Sequence, residues 1–214
     1  MKGVMVKICG ITRPADARAA VAAGADAIGL VFAKKSSRFV APATAARIAQ
    51  AAGARVAKVG VFVDAPAKEV LRTAQSCDLD SLQLHGKETP AYCKSLRSKF
   101  NGSIVKALRV SRLADLKKIP RYNAAVDAVL LDAYVRGVQG GTGKKVDWKL
   151  AIQAKRFKIP LILSGGLTPE NVSPAIRRVK PNAVDVSSGV EASAGIKDPA
   201  KIRRFIRSAK AALH

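Results

Sequence analysis

The chain has 214 residues, 49% of them apolar, enough to bury one core without disulfides or a structural metal. Lys and Arg outnumber Asp and Glu 38 to 15, a formal charge of +23 that would draw in polyanions at low salt. Yet aromatic residues make up only 5%, and the basic residues are spread along helix faces instead of forming one block, which argues against sequence-specific nucleic-acid binding and for a solvated basic surface with an anionic small-molecule partner.

Val4 to Cys9 is an apolar run that stops at Gly10 and Thr12, and it reads as a strand delivering a thiol to its C-terminal end. Thr12 is expected to cap the following helix, with Pro14 in its first turn and Gly24 as its stop. Ala27 to Phe32 is the second strand; a basic loop over 33–41 follows, then a helix from about Pro42 to Gly53. Ala57 to Val63 leads into a helix carrying Val70, Leu71 and Ala74 on one face. Ser81 to Leu84 ends at His85 and Gly86, before a helix from about Pro90 to Phe100.

Ile104 to Val110 is the fifth strand, with Ser111 expected to cap a short helix ending before Pro120. Ala128 to Asp132 ends on a carboxylate. The longest loop, 133–146, contains Gly140, Gly141, Thr142 and Gly143 and reads either as a plain flexible connection or as a lid; a helix then starts at Asp147 and Trp148. Leu161 to Ser164 ends at Gly165 and Gly166, and Ala183 to Val186 ends at Ser187, Ser188 and Gly189. The closing helix sets Ile202, Phe205, Ile206 and Ala209 against a basic outer face.

Strands that read as continuous apolar runs alternating with helices point to a parallel sheet covered by helices. Eight such units over residues 1–214 point to a single α/β domain, a (β/α)8 TIM barrel. A doubly wound open sheet would place a Gly-x-Gly-x-x-Gly turn after its first strand, where this chain has Cys9-Gly10-Ile11-Thr12.

In a barrel the loops after the strands line one mouth, which selects Cys9, Arg38, Asp64, His85, Arg109, Asp132 and the glycine clusters. Gly165 and Gly166, with Ser187, Ser188 and Gly189, suit an anion, because backbone free of side chains lets N–H groups approach a phosphate. Cys9 by itself reads as core filler. Paired with Asp132 across one mouth, it reads instead as half of a proton-moving pair, one group taking a proton from carbon and the other giving one to oxygen. The thiol would then need its pKa depressed, with Arg38 as the nearby cation. His85 is either a hydrogen-bonded structural residue or a substrate contact, and two histidines are too few for a metal centre. Cys77 and Cys93 fall in helices. No apolar run spans a bilayer, no signal peptide opens the chain and the cysteines have no paired spacing, so a soluble cytoplasmic protein is expected.

With these residues placed, the chain resembles the phosphoribosylanthranilate isomerases of tryptophan biosynthesis. The likeness runs through Lys7 to Thr12, Gly29 to Phe32, Gln83 to Gly86, Leu131 and Asp132, Gly140 to Gly143, Ser164 to Leu167, and Asp185 to Glu191. It implies an Amadori rearrangement without cofactor or metal, with Asp132 as general acid and Cys9 as general base. Arg38 would pair with the anthranilate carboxylate, and His85, Gly141 and Asp185 would join the phosphate cradle in binding substrate. Ser37 precedes Arg38 where that family usually has proline. A related isomerase of histidine biosynthesis carries aspartate at the position of Cys9, and a metal-dependent epimerase would need ligands this chain lacks. A non-catalytic barrel binding phosphorylated ligands or RNA is the reading from another class. A monomer is expected over a homodimer.

Overall fold

The computed structural model describes residues 3–133 and 147–213. Eight parallel strands close into a barrel in chain order: β1 (Met5–Cys9), β2 (Ala27–Val31), β3 (Ala57–Phe62), β4 (Ser81–Leu84), β5 (Ser103–Val110), β6 (Ala128–Ala133), β7 (Leu161–Leu163) and β8 (Ala183–Val186). β8 returns to pair with β1, setting Lys7 beside Asp185. The helices between them are α1 (Pro14–Ala22), α2 (Pro42–Ala52), α3 (Ala67–Ser76), α4 (Pro90–Arg97), α5 (Leu113–Leu116), α6 (Trp148–Ala154), α7 (Val172–Val179) and α8 (Pro199–Lys210). No described helix is long and apolar enough to cross a membrane.

Strand alternation divides the apolar residues into two shells. Val6, Ile8, Ile28, Leu30, Leu82, Leu84, Leu131 and Val184 face outward and join the helices' buried faces in one large cluster. Inside the barrel lie two smaller clusters, Cys9 with Val31 and Val61, and Val105 with Ala107 and Leu130. Each fully buried aliphatic side chain contributes about 1.5–3 kcal/mol, so the outer shell holds the barrel closed. The inner face is free to carry polar residues: Lys7, Gln83, Asp132 and Asp185 are all buried there.

Three local expectations are corrected. Thr12 does not cap α1, whose cap position is Arg13 with no side-chain bond. Instead Thr12 Oγ1 donates to the Gly195 carbonyl at 2.5 Å, tying the end of β1 to a small antiparallel hairpin, β9 (Glu191–Ser193) and β10 (Ile196–Lys197). Ser111 does not cap α5 either; its N–H and hydroxyl both donate to Asp115 Oδ2, at 2.9 and 3.1 Å, so the carboxylate at the third helical position closes that turn. Nor is the basic surface wholly solvated, since Lys7, Lys58, Lys106 and Lys197 are buried and ion-paired.

Candidate active site

Cys9 and Asp132 occupy the C-terminal ends of β1 and β6 on the inner face, and β7 and β8 lie between those strands in the closed barrel. The thiol is 7% exposed and packs against Val31 and Val61. Gly29 makes room for it: a Cβ there would stand 2.6 Å from Cys9 Sγ.

The thiol has Arg38 nearby, as expected, together with two cations the expectation did not name. Burial pushes the Cys9 pKa up, and the cations opposing that push most are Lys7 and Lys197. Arg38 lies close enough to Cys9 for the two charges to interact, and its guanidinium is bound by Glu191, which accepts from its Nε and Nη2 at 2.7 Å each. Glu191 also accepts from Lys197 Nζ at 2.8 Å. Burial disfavours an ionised Glu191, but the bonds from Arg38 and Lys197 outweigh it and hold its carboxyl below the usual range. Arg38 therefore reaches the mouth as half of a bidentate pair, leaving its other guanidinium edge for a ligand. The sequence pattern does not select Lys197, because Ala192-Ser193-Ala194-Gly195-Ile196 before it forms no continuous apolar run that reads as a strand.

Lys7 was also missed, though its period-two relation to Cys9 puts both on one face. Its ammonium donates to Asp185 Oδ1 and to Gln83 Oε1, each at 2.8 Å. Asp185 takes a further bond from Ser164 Oγ at 3.2 Å, so its carboxylate lies in the barrel's polar interior, 5% exposed. His85 is brought to the mouth at the end of β4, with Nδ1 3.0 Å from Gln83 Nε2 and Nε2 3.3 Å from Asp132 Oδ2. That second contact has the distance of an ion pair without the alignment of a hydrogen bond.

The glycines and serines expected to hold an anion lie in the loops after β7 and β8. Gly165 and Gly166 have φ of 88° and 66°, the left-handed region that glycine enters without strain. Gly189 approaches the Leu167 carbonyl so closely that any Cβ would collide with it. The N–H groups of Gly165, Gly166, Ser188 and Gly189 donate to no acceptor among the described residues. Ser187 sits beside Lys197, whose Nζ lies 3.2 Å from the Ser187 carbonyl oxygen. These loops thus set backbone N–H donors near a buried ammonium, an arrangement that suits an anion.

Two other mouth residues take different parts. Asp64 accepts from the Lys87 N–H at 2.5 Å and its own N–H donates to Glu88, which makes it a loop brace between β3 and β4. Arg109, level with Asp132 on the neighbouring strand, lines a cavity of about 580 Å³ with His85, and its buried Nε meets no acceptor among the described residues. Gly141 and the rest of the expected lid lie outside the described residues. No three described His, Cys, Asp or Glu side chains gather at metal-ligand spacing.

The model of the family described as N-(5'phosphoribosyl)anthranilate (PRA) isomerase matches residues 6–208. An N-(5'-phosphoribosyl)anthranilate isomerase of a Geobacter species is 50% identical over 205 residues, covering 96% of this chain and 97% of its own. The crystal structure of phosphoribosyl anthranilate isomerase from Thermotoga maritima superposes with a TM-score of 0.89 at 41% identity, over 97% of this chain and 98% of that one. A structure of such an isomerase in complex with reduced 1-(o-carboxyphenylamino)-1-deoxyribulose 5-phosphate gives 0.86 at 40% identity, over the same shares. The chain belongs to the N-(5'-phosphoribosyl)anthranilate isomerase family.

Proposed function

We propose that this chain catalyses the Amadori rearrangement of N-(5-phosphoribosyl)anthranilate to 1-(2-carboxyphenylamino)-1-deoxyribulose 5-phosphate in tryptophan biosynthesis, with Asp132 as acid and Cys9 as base. The observation that carries the assignment of roles is the order of the barrel. The phosphate cradle after β7 and β8 is flanked by Asp132 on β6 and by Cys9 on β1. A sugar anchored there by its 5-phosphate presents its ring between the two groups. The ligand of the related complex carries both a phosphate and a carboxyphenyl group, which supports an anionic substrate of this kind.

The proton accounting is closed. Asp132 gives its proton to the furanose ring oxygen; the C1–O bond breaks as the anilino nitrogen's lone pair forms a C1=N bond. The iminium acidifies the C2 proton, which Cys9 removes as a thiolate. The C2–H electrons become a C1=C2 double bond and the nitrogen regains its lone pair. The resulting enolamine takes a proton at C1 and loses one from the C2 hydroxyl, giving the ketone. General acid–base steps of this kind supply about 10²–10⁴-fold each. Desolvation makes the Cys9 thiolate costly, and Lys7 and Lys197 are the cations that offset this cost. The free edge of Arg38 is available to the anthranilate carboxylate.

The test generates the substrate in situ from anthranilate and follows loss of its fluorescence. Wild type consumes it, whereas Asp132→Asn and Cys9→Ser lose turnover and keep phosphate affinity. Wild-type turnover in both variants would overturn the assignment of acid and base.

A further inference from the structure

A polar chain crosses the barrel interior from beneath Cys9 to Asp132. Its links are Asp185 to Lys7, Lys7 to Gln83, Gln83 to His85, and His85 to Asp132, at 2.8, 2.8, 3.0 and 3.3 Å. Lys7, Gln83 and Asp185 are all buried, so water cannot relax the arrangement.

The direction of every bond follows from the first. An ammonium can only donate, so the Gln83 amide must turn its oxygen to Lys7. Its NH2 group then faces His85 Nδ1, which must accept. In the neutral imidazole the single N–H is thereby left on Nε2, the nitrogen facing the Asp132 carboxyl. The orientation of an amide is ordinarily ambiguous, but here a donor-only neighbour removes the ambiguity.

We propose that Lys7 and Gln83 are positioning residues that hold His85 as its Nε2–H tautomer, so that this N–H meets the Asp132 carboxyl as it gives up its proton. The proposal rests on the isomerase reading above. When Asp132 protonates the ring oxygen, negative charge develops on its carboxylate, and a preplaced donor stabilises that charge. The 3.3 Å contact lacks hydrogen-bond alignment in this structure, and an interaction that strengthens as the carboxylate charge develops lowers a barrier instead of only tightening binding. The other tautomer would present a lone pair to a growing negative charge. No proton travels along the chain: His85 keeps its proton throughout, and the transferred proton is that of Asp132.

The chain contains two histidines, His85 and His214, so protein labelled with 15N-histidine gives two imidazole patterns. Long-range 1H–15N correlation at about pH 8, above the ordinary histidine range, reads each tautomer directly. Wild type is expected to show His85 protonated on Nε2. Gln83→Glu replaces the donor facing Nδ1 with an acceptor, so the proton should move to Nδ1 while kcat falls at least about tenfold and KM changes little. His85→Gln, which keeps an N–H near the Nε2 position, should retain clearly more turnover than His85→Ala, for which a loss of about 10²-fold matches removal of one preorganised donor; this pair decides the matter if Gln83→Glu does not fold.

An Nδ1–H tautomer in wild type would overturn the proposal. So would a tautomer switch in Gln83→Glu with unchanged kcat, or equal turnover in the two His85 variants. A wild-type Nε2–H tautomer in a protein that does not consume phosphoribosylanthranilate would sink the isomerase reading, and with it the role at Asp132, while leaving the hydrogen-bond directions correct.

Discussion

Glu191→Gln removes one charge from a cluster that has been taken out of water. Glu191 is bound by Arg38 through two bonds of 2.7 Å and by Lys197 through one of 2.8 Å. The side chains of Lys197, Glu191 and Arg38 are 0%, 6% and 14% exposed. Breaking a buried pair by deleting one partner costs about 3–5 kcal/mol, because the other charge is stranded. Arg38 reaches solvent at its outer edge and relaxes, so Lys197 carries most of the penalty and the lower end, about 3 kcal/mol, is expected. With a urea slope of about 2 kcal/mol/M, the unfolding midpoint should fall by about 1.5 M. The acid limb supplies a second readout. The Glu191 carboxyl has a pKa below its unfolded value, so its contribution is complete above the ordinary glutamate range and is lost as pH falls through the folded value. The gap between wild type and Glu191→Gln should therefore narrow as pH is lowered from 7 toward about 3. A gap under about 1 kcal/mol at neutral pH, or one that stays constant into acid, would refute the claim that the cluster is desolvated and charged.

Gly29→Ala would set a methyl group 2.6 Å from Cys9 Sγ and 3.0 Å from its Cα, so the thiol must move. A displacement near 1 Å costs about 10²-fold in kcat, and steady-state kinetics showing no loss would count against Cys9 as the base. Alkylation by iodoacetamide followed by mass spectrometry should be slow at neutral pH and rise as pH passes above 9.0, since burial pushes up the pKa of Cys9 and takes that of Cys93 to about 11. Cys9, at 7% exposure, should react before the fully buried Cys93. Rapid labelling of Cys9 at neutral pH would reveal a standing thiolate and refute the claim that burial holds the thiol protonated.

The barrel strands were legible because a parallel strand is covered on both faces and reads as an unbroken apolar run, interrupted only where the chain turns. The eight runs match the eight strands to within about a residue at most ends. The hairpin of β9 and β10 had no such signal: it is short, mostly polar, and exists because Lys197 is drawn under it to Glu191. The cap at Thr12 failed for a related reason, since a hydroxyl that can cap a helix can equally bond a carbonyl brought close by the tertiary fold. Within the candidate site, strand-end position selects Cys9, Asp132 and the glycines, which the fold brings to one mouth of the barrel. It also selected Asp64, which braces a loop, and it passed over Lys7 and Gln83, which lie one layer deeper. Position alone cannot separate these cases; hydrogen-bond partners can.

The excess of basic residues divides along the same line. Lys7 and Lys106 are buried in pairs with Asp185 and Glu88, and Lys197 shares Glu191 with Arg38, so most of this buried charge is compensated locally. Their work is local and directional: Lys106 Nζ donates to the Leu84 and Gly86 carbonyls at 2.9 Å each, bracketing His85, and Lys7 fixes the amide of Gln83. Among the described residues five carboxylates, Asp16, Glu88, Asp132, Asp185 and Glu191, are buried along with four lysines, so burial leaves the balance of charge outside nearly unchanged. That outer charge acts on an approaching anion only within a Debye length of about 8–10 Å and weakens with salt. A single number, +23, thus mixes two populations of lysine and arginine: exposed ones that attract the substrate, and buried ones that fix hydrogen-bond directions in the barrel.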